Sequence, residues 1–146
     1  MINKDIAGKT YSLLAGYLVG REKLREFAKA VLVTNPVYHD VAAAQAAGYA
    51  DLVASPTFAV VLQERTLALL LADESANIDF SRVVHGEQRF TYTRPIVAGD
   101  ELTAQMMVTS VKEIAGNAMV TAETVITDSA GEHVVTTISS LVVRGE

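Results

Sequence analysis

The stretch that most limits what this chain can become is SPTFAVVLQERTLALLLADE, residues 55–74. Apolar residues fill positions 58 to 62 and, but for Thr66, 66 to 72, with Ser55 placed to cap a helix and Pro56 to sit in its first turn. Almost every side of that helix is apolar, so the rest of the protein is expected to wrap it. After Asp79 the pattern changes to VVHGEQRFTYTRP, ELTAQMMVTSVKEI, AMVTAETVITDS and EHVVTTISSLVVR, segments rich in Val, Thr, Ile and Tyr. Ala98-Gly99-Asp100, Gly116-Asn117 and Ala130-Gly131 separate them, which predicts four antiparallel strands joined by tight turns. In the first of these, Phe90 and Tyr92 lie on one side and Arg89, Thr91 and Thr93 on the other, the alternation of a sheet with one covered face. The economical packing is an α+β fold in which a curled antiparallel sheet surrounds the long helix. Lys9 to Leu14 offers an additional strand. A curled sheet leaves open edges that are commonly paired with a second copy or a related chain, so a dimer is expected.

Upstream, GREKLREFAKAV puts Leu24, Phe27, Ala28 and Val31 on one helical face with charged residues around the rest, an amphipathic surface helix. Residues 40–48 read as a short helix with Asp40 as N-cap and Gly48 just past its end. Between these helices lies VTNPVYHD, residues 33–40, where an Asn35-Pro36 turn precedes Tyr38, His39 and Asp40. Those side chains are the types that acid/base chemistry uses.

Length and charge narrow the functional classes. A chain of 146 residues, half of them hydrophobic, suits one domain with a continuous core, so residues 1–146 are expected to form a single unit. Net charge is -5 and no cluster of Lys and Arg occurs, which argues against nucleic-acid binding. The absence of cysteine excludes thiolate catalysis and Cys-ligated zinc. His39, His85 and His133 lack metal-ligand spacing, so no metal or other cofactor is expected, and the latter two read as a strand histidine and a solvated one. The apolar region Leu52 to Ala72 is interrupted by Pro56 and Gln63-Glu64-Arg65, and MINKDIAGKTYS is not a signal peptide. The expectation is a cytoplasmic protein without a membrane span.

YLVGREKLREFAKAV, NPVYHD, AAGYADLVASPTFAVVL and FTYTRPIVAGDEL resemble, in order and spacing, the MaoC-like hydratase and dehydratase family, from Gly8 to Val143. The resemblance is closest to the non-catalytic, N-terminal-type subunits of actinobacterial (3R)-hydroxyacyl-ACP dehydratases. It implies a hot-dog fold. Catalytic members of the family carry Asp-x-Asn-Pro-x-His after the first helix. Anchored on Asn35-Pro36, the Asp falls on Val33 and the His on Tyr38. Val has no ionisable atom, and Tyr, with an ordinary pKa near ~10, is a poor base at neutral pH. His39 is the one candidate base, displaced by a residue, and a one-residue shift generally turns a side chain away from the substrate.

By resemblance, then, the chain has no catalytic residue of its own. It is expected to be a substrate-channel and stabilising subunit of a heteromeric (3R)-hydroxyacyl-thioester dehydratase in type II fatty acid or mycolic acid synthesis. Its partner would be a catalytic hot-dog chain, or a second copy of itself, and its substrate an acyl-ACP or acyl-CoA. Tyr38, Pro56, Thr57, Phe58, Val60 and Val61 are the substrate-binding candidates, with backbone N–H groups at Pro56-Thr57-Phe58 for a thioester carbonyl. Phe58, Val60, Val61 and Leu62 read equally as core, and Ser55 or Thr57 as caps. Two other readings remain: a homodimeric acyl-thioester binding protein without chemistry, and a hot-dog thioesterase, for which Glu64 is the candidate carboxylate.

Overall fold

The computed structural model describes residues 1–145. Strand β1 (Thr10–Leu18) is followed by α1 (Arg21–Ala30), α2 (Val41–Ala46) and α3 (Val60–Ala72), and then by β2 (Val83–Tyr92), β3 (Glu101–Ile114), β4 (Asn117–Thr127) and β5 (His133–Val143). The five strands form one antiparallel sheet in the order β1-β3-β4-β5-β2, curled around α3. This is the α+β, hot-dog arrangement, and the extra N-terminal strand is present and longer than expected.

The strands follow the sequence pattern closely, but one connection does not. β2 pairs with β5, Phe90 opposite Thr137, and so lies at the far edge of the sheet from β1. The Ala98-Gly99-Asp100 segment is therefore no hairpin turn between neighbouring strands. It ends a crossover of residues 93–100 that traverses one end of the sheet and pairs through Val97 with Val53. Local alternation identifies a strand and cannot tell which strand it will neighbour.

Helix α3 also starts later than its composition suggests. Residues 56–59 form a chain of tight turns, with Phe58 N–H donating to Ser55 O (2.9 Å) and Val60 N–H to Thr57 O (3.1 Å), and the helix proper begins at Val60. Proline fixes φ and removes a donor, which suits the turn as well as it would a helical first turn. Nor is α3 wrapped on all sides within one chain: Leu62, Gln63, Thr66, Leu67 and Leu70 are buried, while Glu64, Arg65, Ala68, Leu69 and Ala72 form an open face.

Beneath α3 the core divides into two apolar clusters. One holds Leu24, Phe58, Leu62, Ile96 and Leu102, the other Leu67, Leu70, Met106, Val120 and Leu141. Gln63 on the helix and Gln88 on β2 exchange reciprocal amide hydrogen bonds of 2.8 Å, and Thr66 Oγ1 donates to Gln63 O at 2.7 Å. The buried Gln63 amide is tolerable here because it has its partner.

The C-terminal end of α3 is tied to β1 by Asp73, whose carboxylate accepts from Lys9 Nζ (2.5 Å) and Tyr11 OH (2.6 Å), and from Ser75. The Lys9 hydrogen bond, with those from Ser75 and Tyr11, holds the Asp73 carboxyl well below the usual carboxylate range. A depressed pKa contributes stability that is present above the unfolded value and lost as pH falls through the folded one. Acid titration of wild type from neutral pH is therefore expected to cost more stability than the same titration of Asp73→Asn, as read by thermal unfolding.

Candidate functional site

The loop between α1 and α2 is built by short-range capping. Asn35 Oδ1 accepts from Val37 N–H (3.1 Å), which sets up a single 3-10 turn over Pro36–Tyr38, and Asp40 Oδ1 accepts from Ala42 N–H (2.9 Å) to start α2. Asp40 is thus the helix cap its position suggests. His39 Nε2 lies 2.6 Å from Val33 O. A carbonyl only accepts, so that nitrogen carries the proton and closes the loop. Arg25 Nε donates to His39 O (2.9 Å) from α1. The imidazole is a structural clasp, and it is not among the residues lining the nearby pocket.

That pocket, of about 270 Å³, is walled by Tyr38, Tyr49, Pro56, Tyr92, Pro95 and Ile96, and is largely apolar. Tyr92 comes from the end of β2, next to Phe90, with the two rings stacked at 6.3 Å. Its hydroxyl donates to Pro56 O at 2.5 Å. Burial, and to a lesser extent Tyr38, pushes its pKa up to about 12, so Tyr92 stays protonated and serves as a donor. Arg94 also borders the pocket, but its guanidinium is spent on structure. It forks onto Asp100 at 2.9 and 3.1 Å and reaches Asp128 at 3.2 Å, while Asp100 Oδ2 accepts from Val97 N–H (3.0 Å). These bonds, with Asp100 N–H donating to Val97 O at 3.2 Å, pin the end of the crossover. The Glu132 N–H, with Arg94 and the Ala130 N–H, holds Asp128 below its ordinary value.

The candidate binding residues separate. Tyr38 and Pro56 line the pocket, and Thr57 is exposed beside it. Phe58 does not reach the pocket. It is wholly buried, edge-to-face with Phe27 at 5.3 Å and tilted against Tyr17 at 6.5 Å, because the turn before α3 points it into the core. Val60 and Val61 are half-buried, Val61 against the same core, and neither lines the pocket. Among the described residues, the N–H groups of Thr57 and Ala59 have no hydrogen-bond partner, and α3 has no side-chain cap, so neither Ser55 nor Thr57 caps it. Glu64 lies on the open face of α3, away from the pocket. His85 is an exposed strand histidine at a bulge around Gly86. His133 is not simply solvated: it is half-buried between Thr93 Oγ1 (2.6 Å) and Thr136 Oγ1 (2.7 Å).

Tyr49 and Tyr92 were missed as pocket residues. The alternation of β2 places Tyr92 on the inner face, but its contact with Pro56 spans 36 residues and no local pattern encodes it. A larger groove of about 970 Å³ lies at the other end of α3, bordered by Asp73, Asp79, Arg82, Glu113 and Arg144, and it has no part in this site. No group of three or more His, Cys, Asp or Glu that could hold a metal occurs among the described residues. No helix there is long and apolar enough to cross a membrane.

The model of the FAS1-like dehydratase domain region matches residues 8–137. The chain belongs to this dehydratase family. Within it, a UPF0336 protein of Leifsonia xyli subsp. xyli is 63% identical over 145 residues, covering 99% of this chain and 97% of its own. A UPF0336 protein of Thermobifida fusca is 49% identical over 145 residues, with 99% and 95% covered. Among solved structures, a chain of the HadBC (3R-hydroxyacyl-ACP dehydratase) complex of Mycobacterium tuberculosis superposes with a TM-score of 0.86 at 33% identity, covering 94% of this chain and 97% of that one. A MaoC-like dehydratase matches with a TM-score of 0.84 at 34% identity, over 95% of this chain but 42% of the other. The ChsH1-ChsH2 complex of M. tuberculosis shares the fold, with a TM-score of 0.67 at 21% identity, 94% of this chain and 98% of that one. The fold of this family member is thus shared with chains of the HadBC and ChsH1-ChsH2 complexes and, in one case, with a chain more than twice as long.

Proposed function

We propose that this chain is the substrate-channel and stabilising subunit of a heteromeric (3R)-hydroxyacyl-thioester dehydratase, in which the acid/base residues belong to a partner hot-dog chain. The observation that carries this reading is what lines the pocket below the Asn35-Pro36 turn: Tyr38, Tyr49 and Tyr92, with no carboxylate and no histidine. Dehydration requires one group to remove the α-proton and to protonate the departing hydroxyl. Val33 supplies only a backbone carbonyl, which His39 occupies. An apolar aromatic wall suits an acyl chain, each buried methylene of which contributes about 0.8 kcal/mol.

The partner is expected along the open edge of β2, which also brings it beside Tyr92 and the pocket. The carrier of the thioester is ACP or CoA, and the setting is type II fatty acid or mycolic acid synthesis in the cytoplasm. The test is reconstitution. Co-purification with a short hot-dog chain carrying Asp-x-Asn-Pro-x-His, and enoyl-thioester hydration only when both are mixed, supports the reading. Full activity of this chain alone, abolished by His39→Ala, overturns it.

A further inference from the structure

Polar groups separate the two apolar clusters beneath α3. Along the inner face of β5, Val135 belongs to the first cluster and Leu141 to the second, and between them stand the buried side chains of Thr137 and Ser139. Thr124 of β4 lies opposite Thr137 and is buried with it, while the Thr137 hydroxyl has no hydrogen-bond partner among the described residues. On the other side of β5, Gln88 of β2 lies opposite Ser139, and Gln63 reaches it from α3 through the reciprocal 2.8 Å amide pair. Among the described residues no other hydrogen bond joins α3 to β2, so this pair ties the seam between them.

That seam begins at the tyrosine-walled pocket. Gln88, Phe90 and Tyr92 alternate onto one face of β2, with Tyr92 in the pocket wall and its ring stacked on Phe90. Across from them Val60 lies one turn before Gln63 on α3, half-buried and outside the packed cluster. The run of strand from Tyr92 to Gln88 is about 13 Å long at a rise of ~3.3 Å per residue. An extended hydrocarbon advances about 1.25 Å per carbon, so this length takes about ten carbons.

We infer that the Gln63–Gln88 amide pair is the far stop for the acyl tail, and that it makes this chain a subunit for short and medium acyl thioesters, with tails of about ten carbons or fewer. The inference rests on the dehydratase reading above and adds the length of the tail and the residues that set it. Up to the pair, a tail meets Phe90 and Val60, and each methylene gains about fourfold in affinity. To pass it, a tail must break two hydrogen bonds and lie against Gln88, Thr137 and Ser139, whose polar atoms it cannot satisfy. That loss is on the order of a hundredfold. Beyond the pair stand Leu67, Leu70 and Leu141, already packed against their own cluster, so further methylenes gain nothing there.

The test compares tail lengths in the two-chain complex. Hydration of trans-2-hexadecenoyl-CoA is expected to proceed with a kcat/KM about tenfold or more below that of trans-2-octenoyl-CoA. Gln63→Ala opens the seam from α3 and Gln88→Ala opens it from β2, and each should raise the hexadecenoyl-to-octenoyl ratio about tenfold or more. A substitution that only loosened the fold would lower both rates together and leave the ratio where it was. A wild-type ratio near or above one overturns the inference, and so does a ratio within about twofold of wild type in either folded variant. If neither variant folds, the wild-type ratio decides. Should the wild-type complex hydrate neither thioester, the dehydratase reading fails first. Calorimetric titration of the chain alone then decides the stop: octanoyl-CoA bound about tenfold or more tighter than hexadecanoyl-CoA supports it, and equal, reversed or absent binding rejects it.

Discussion

In the reconstituted complex, His39→Ala in this chain leaves the hydration rate within about twofold of wild type, whereas alanine at the histidine of the partner's Asp-x-Asn-Pro-x-His loop lowers it ~10² to 10⁴-fold. The size of the second effect is that of losing a general acid/base. The smallness of the first follows from geometry. His39 Nε2 is committed to the Val33 carbonyl, and the ring lies outside the pocket lining. What His39→Ala does remove is a loop closure, and Arg25 still holds the same residue through its backbone carbonyl. A partner stripped of its catalytic pair and rescued by this chain would contradict the proposed division of labour. Stopped mixing of the two purified chains, with enoyl-thioester absorbance as the readout, measures both arms in one series.

Phe58→Ala is the substitution with the largest expected effect on stability, about 3 to 5 kcal/mol. The ring is fully buried, meets Phe27 edge-to-face at 5.3 Å, and joins α1, β1 and the turn before α3 in one cluster. Truncation removes transfer free energy, leaves a cavity and forfeits an aromatic pair contributing about 0.5 to 1.5 kcal/mol. Since domains of ordinary stability unfold at a cost of about 5 to 15 kcal/mol, the loss is a large fraction of the whole. Urea unfolding of the chain reads it as a fall in midpoint with little change in slope. Val60→Ala, half-buried at the start of α3, should cost well under half as much. Equal costs would mean that Phe58 is not the core residue its contacts make it.

These expectations show what was legible in the sequence. Period and punctuation identify every strand of the sheet, because side-chain alternation and turn residues act over a few positions. They also identify α1, the Asp40 cap and the Asn35-Pro36 turn, each held by a hydrogen bond between residues a few positions apart. The loss of acid/base groups at Val33 and Tyr38 is likewise a fact of the sequence alone, since no fold can give valine an ionisable atom.

Only the tertiary structure decided the rest. The order β1-β3-β4-β5-β2 depends on which open edge a strand finds, and local alternation carries no such information. Phe58 was assigned to the core rather than to the ligand by the turn that precedes α3, and Ser55 was shown to be buried and unpaired rather than a cap. The pocket is assembled from Tyr38, Tyr49 and Pro56, between α1 and α3, and from Tyr92 at the end of β2, remote from them in sequence. Residue type sets what chemistry is available, but the distance between groups remote in sequence is set by how the sheet closes around its helix.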